Sequence, residues 1–129
     1  MAYTGEGWNL TLEAGEDLSN YQYRFVHLAD DDTVDLMDGA TEISIGILQN
    51  APASGETAVV RVAGISKLVM NDAIAVGLRI KPEYVSASDN GKGDAADTDK
   101  DLVRAISLTA AGAEDDVITV LLVFDSASI

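Results

Sequence analysis

The sequence predicts an all-β fold, a compact β-sandwich or barrel-like domain of short antiparallel strands with little helix. Three observations lead there. Segments rich in β-branched residues recur at roughly the 8 to 12 residue spacing of sandwiches and barrels, without the longer helical spacers of a βαβ fold. Residues suited to tight turns separate them. Finally, 47% of the residues are hydrophobic but only 5% are aromatic, so the core has to be built from Val, Ile, Leu and Ala, which pack closely between sheets. At 129 residues the chain is expected to form one domain, residues 1-129, with a single core.

Taken in order, strands are expected over Trp8 to Glu13, Gln22 to Leu28, Thr33 to Leu36, Glu42 to Leu48, Glu56 to Ala63, Ile65 to Met70, Ala75 to Ile80, Val103 to Leu108 and Val117 to Phe124. Asp38-Gly39, Ser54-Gly55 after Pro52, Asn71-Asp72 and Asn90-Gly91 supply turn residues that tolerate a positive φ. The nearly unbroken apolar run Val117 to Phe124 reads as a central strand, covered on both faces or by a neighbouring subunit. Asp72 to Val76 and Thr109 to Ala113 could each form no more than a short helical turn. The polar stretch Ser86 to Asp101 reads as an exposed acidic loop.

Charge narrows the function. Acidic residues outnumber basic ones 22 to 8, for a formal net charge of −14, and the few basic side chains are scattered, so no nucleic-acid partner is expected. Without cysteine there is no disulfide, thiolate metal site or thiol nucleophile. The first residues lack the basic and apolar regions of a signal peptide, and no stretch approaches the ~18 apolar residues of a membrane span, so neither ordinary export nor a membrane partner is expected. The sequon Asn9-Leu10-Thr11 is accordingly read as chance.

His27 is the single histidine. In the stretch from Tyr21 to Leu28 it alternates with Tyr21, Tyr23 and Phe25, which reads as a half-buried strand residue rather than part of a triad with Asp30, Asp31 or Asp32. Neither those three aspartates nor Asp94, Asp97, Asp99 and Asp101 follow the EF-hand spacing. No glycine loop resembles a phosphate cradle. The expectation is therefore a non-enzyme with no catalytic residues, no cofactor and no metal site.

The segments Ile45-Gly46-Ile47-Leu48, Pro52-Ala53-Ser54-Gly55-Glu56, Val59 through Leu68, Arg104 through Leu108 and Asp116 through Leu122 together resemble the capsid decoration, or cement, proteins of tailed phages. The resemblance spans about residues 42 to 124. Residues 1 to 41 fall outside it, and the acidic loop 86 to 101 is longer than the pattern expects. The resemblance implies a homotrimer, made in the host cytoplasm, that sits on the outer capsid surface of the virion and binds the major capsid protein, reinforcing contacts between capsomers. Bottom-up, Met1 to about Trp8 reads as a flexible arm: it holds Gly5 and Gly7 and could deliver Tyr3 and Trp8 as capsid-contact anchors. Two other classes compete. One is a different β-domain binding module, from a tail fibre or a receptor- or carbohydrate-binding protein, for which one Trp and four Tyr make a poor aromatic platform. The other is an acidic hydrolase using paired carboxylates.

Overall fold

The computed structural model describes residues 7–39, 41–97 and 101–126. Its strands are β1 (Gly7–Ala14), β2 (Phe25–Asp30), β3 (Thr33–Leu36), β4 (Ser44–Leu48), β5 (Thr57–Val69), β6 (Arg79–Pro82), β7 (Gly93–Ala95), β8 (Leu102–Ser107) and β9 (Val117–Ser126). The helical content among the described residues is one 3-10 turn, Ala87–Asp89. The all-β expectation holds, and the architecture is a closed barrel with extra strands.

Strands β1, β3, β2, β4 and β5 lie side by side in that order, and β5 pairs again with β1, closing five strands into a barrel. Closure leaves less free edge than an open sheet would expose. Four of the five pairings are antiparallel; β1 and β3 run parallel through Glu13–Thr33 and Ala14–Val34. Beyond Gly64, β5 leaves the barrel and pairs with β9 from Ile65 to Val69, starting a second sheet in the order β5, β9, β8, β6, β7. A bridge between Met70 and Gly93, with the Asn71 amide donating to the Gly93 carbonyl at 2.8 Å, brings β7 back beside the end of β5.

Sequence-based strand limits fail in four informative places. The two strands expected over Glu56 to Ala63 and Ile65 to Met70 are one, because Gly64 takes φ +97° and turns the strand from one sheet into the other without ending it. The strand expected from Gln22 starts at Phe25, since Tyr23 sits at φ +64°, outside extended geometry. There the Tyr23 amide donates to Leu48 and its carbonyl accepts from Val69, tying the barrel to the second sheet. Ala75 to Ile80 is strand only from Arg79, and Ile74 instead makes a bridge to Ala111. The loop expected from Ser86 to Asp101 contains the 3-10 turn and β7, and Gly91, Lys92 and Gly93 are buried.

Two apolar clusters account for most of the core. Val26, Val34, Leu36, Leu48, Ala58 and Val60 fill the barrel with Ala14 and Leu18. Phe25 and Ile47 belong to the other cluster, with Leu68, Met70, Ile80, Ile118 and Val120. Adjacent residues of β2 and β4 thus serve opposite faces, as strand alternation requires, and at Phe25–Val26 and Ile47–Leu48 both faces are buried. Each fully buried Val, Leu or Ile is worth roughly 1.5 to 3 kcal/mol. The run Val117 to Phe124 is central, between β5 and β8, but covered on one face: Val117, Leu121 and Phe124 remain exposed.

Candidate functional site

Because β1 meets β3 only near its C-terminal end, its earlier residues have no strand partner on that side among the described residues, and the barrel opens there. Leu10 and Leu12 of β1, Leu28 of β2 and Ile45 of β4 line the hollow, with Asp30, Asp31 and Asp32 at its border. A second hollow continues it past His27 to Ile43. Trp8 (78% exposed), Leu10, Leu28 and Ile43 (64%) are all open to solvent. Leu10, Leu28 and Ile43, grouped about the two hollows, form the kind of apolar patch that marks association surfaces more often than isolated side chains do. Trp8 and Gly7 are strand residues paired with Ala63 and Gly64, so the expected arm is already strand at its last two positions. Tyr3 and the rest of the arm lie outside the described residues.

A smaller pocket of about 140 Å³ sits where the barrel meets the second sheet, lined by Glu42 and Ser44 on one side and by Lys81, Tyr84, Leu102 and Arg104 on the other. It is below the 300 Å³ or so at which small-molecule sites begin. Lys81 Nζ stands 3.4 Å from Asp101 Oδ2. Burial, the largest single influence, would lower the Lys81 ammonium, but the charge and hydrogen bond of Asp101 together with the charges of Asp94 and Asp97 outweigh it and the net shift is upward. The Arg104 guanidinium lies 4.9 Å from the centre of the Phe124 ring, a cation-π distance, and one of its terminal nitrogens donates to the Val103 carbonyl at 2.9 Å. Arg104 Nε is buried without a hydrogen-bond partner among the described residues.

Beside this pocket, His27 Nε2 is 3.2 Å from Glu42 Oε2. Glu42 Oε1 accepts the Asp38 and Gly39 amides at 2.7 and 3.0 Å, closing the loop between β3 and β4. His27 is half-buried, as its alternation predicts. Ser44, paired with His27 across β2 and β4, directs its hydroxyl to the Val26 and Gly46 carbonyls and not to the imidazole.

Of the acidic groups singled out in the sequence, Asp94 lies in β7 opposite Lys81, and burial raises its carboxyl above the ordinary value. Asp101 pairs with Lys81, and Asp99 is outside the described residues. One cluster escaped the sequence reading. Lys92, with its side chain 5% exposed, reaches Asp115 Oδ1 at 2.6 Å, Asp89 Oδ1 at 2.7 Å and Glu114 Oε1 at 3.6 Å, fastening the turn before β7 to the loop before β9. Its available signal was a lone lysine between two glycines in an otherwise acidic segment.

No protein-family model matches the chain, and no curated protein matches it. Among solved structures, the fold is similar to that of the head fiber gp8.5 N base in bacteriophage phi29, with a TM-score of 0.68, 15% sequence identity, and coverage of 95% of this chain and 98% of that one. At that identity the likeness is one of fold. It extends over nearly the whole of both chains.

Proposed function

We propose that this protein is a structural component of a phage virion that attaches to the outside of the head, contacts the major capsid protein and reinforces the shell where capsomers meet. The observation that carries this reading is the end-to-end fold similarity to a phage head fiber base. The decoration-protein pattern between residues 42 and 124 supports the same class independently of the fold. The barrel mouth, with Leu10, Leu28 and Ile43 exposed, is the contact face in this reading, and the exposed Trp8, on the same strand as Leu10, is its candidate aromatic anchor. The protein acts as a homotrimer, and the uncovered face of the second sheet supports this: Ile65, Leu121 and Ile106 are direct cross-strand neighbours, forming an apolar row for a second copy.

Co-sedimentation with purified heads of the encoding phage tests the proposal. Saturable binding is expected, and Trp8→Ala should weaken it roughly 10- to 100-fold while leaving the melting temperature within about a degree, since an exposed side chain contributes little to folding. Failure of the parent protein to pellet with heads contradicts the reading. Unchanged binding by Trp8→Ala contradicts the assignment of the contact face.

A further inference from the structure

We propose that His27, Asp38 and Glu42 form a binding site for one divalent transition cation of the zinc class. These side chains converge from β2 and from the loop between β3 and β4, and one ligand atom of each lies within 4.8 Å of the other two. The spacing of the closest pair suits a metal. Nitrogen and oxygen ligands at about 2.0 to 2.1 Å from a tetrahedral zinc stand about 3.3 Å apart, and His27 Nε2 and Glu42 Oε2 are 3.2 Å apart. Asp38 is exposed, so its carboxylate is free to swing the remaining distance, and a water would complete four ligands.

Glu42 is already oriented for this role. Its Oε1 is held by the Asp38 and Gly39 amides, which leaves Oε2 directed at the imidazole. Such outer contacts fix ligand direction in metal sites. The carboxyl of Glu42 lies above its ordinary range, chiefly through burial and then through the neighbouring Asp38 side chain; a bound cation relieves both effects. An imidazole with two carboxylates selects a borderline metal over Ca²⁺ or Mg²⁺, which take oxygen ligands. Sequence spacing could not disclose the site, because residue 27 and the pair 38 and 42 meet only through the pairing of β2 with its neighbours.

Titration of the free protein with Zn²⁺ by calorimetry, and with Co²⁺ by visible absorption, tests the site independently of head binding. One equivalent of Zn²⁺ is expected to bind. His27→Gln, Glu42→Gln and Asp38→Asn should each weaken it roughly tenfold or more, and the Co²⁺ bands should disappear with His27→Gln. Gln at position 42 can still accept the two loop amides, and position 38 is exposed, so at least these variants keep the fold. Absence of saturable uptake by the parent overturns the proposal. So does uptake that is unchanged in the variants, the behaviour of diffuse binding to an acidic surface.

Discussion

Lys92 shows at the scale of one residue how this acidic chain uses its few cations. A lysine so deeply placed would lose its charge if unpaired. Here burial pulls its ammonium down, but the contacts with Asp115 and Asp89 outweigh that and the net shift is upward, while the hydrogen bond from Lys92 holds Asp89 below the ordinary carboxylate value. The raised lysine contributes stability that is complete below its ordinary value of 10.5 and is lost as pH rises through the higher folded value. The lowered aspartate contributes above its ordinary 3.8 and fades as pH falls through the lower folded value. Lys92→Met should therefore cost about 1 to 3 kcal/mol, less than a fully enclosed pair because Asp115 and Glu114 can rehydrate. The gap in melting temperature between parent and variant should be flat from about pH 5 to 10 and shrink on either side; a gap that ignores pH would show that packing, not charge, holds Lys92. Gly46 makes a second point at this scale. A β-carbon there would run into the Arg61 carbonyl oxygen on the neighbouring β5, so Gly46→Ala should destabilise by about 1 to 3 kcal/mol, measured by urea unfolding.

At the scale of elements, strand identity was mostly legible and strand connection was not. Alternation and turn residues located β1, β3 and β9 closely, and Gly55 and Gly91 do adopt the positive φ their turns require. What local pattern could not disclose was that Gly64 bends one strand through two sheets, since a glycine between apolar runs reads equally as a turn or a bend. The three-residue β7 is too short for any periodicity and owes its place to packing: a side chain at Gly93 would collide with Leu68 and Met70. The candidate metal ligands were invisible for a related reason, because strand pairing, not sequence distance, brings them together. β9 carries a prediction of its own. Its face bearing Val117 and Leu121 is uncovered, so Leu121→Asp should leave the fold intact but abolish the proposed trimer, as read by native mass spectrometry in solution or by the symmetry of bound density on the shell. An assembly unchanged by that charge would place the interface elsewhere.

For the whole molecule, two features bear on the proposed attachment to a shell. The closed barrel continues into a second sheet through one strand, while the formal charge of −14 keeps free copies apart and leaves association to apolar faces at specific positions. A specific interface commonly buries about 1,600 Å² in total, and the barrel mouth and the outer face of β9 are separate surfaces for the proposed contacts with shell and neighbour. The fold class was accessible from the sequence because strand spacing and turn residues are local signals. The proposed contact face was accessible only in part: Tyr3 and Trp8 stood out as aromatic candidates, but Leu10, Leu28 and Ile43 come together only once the barrel closes. The most direct test of head attachment is a cryo-electron-microscopy reconstruction of heads incubated with the purified protein. The account predicts ordered density on the outer surface of the shell, with the mouth of the barrel against the major capsid protein; heads whose outer surface is bare at saturating protein would contradict it.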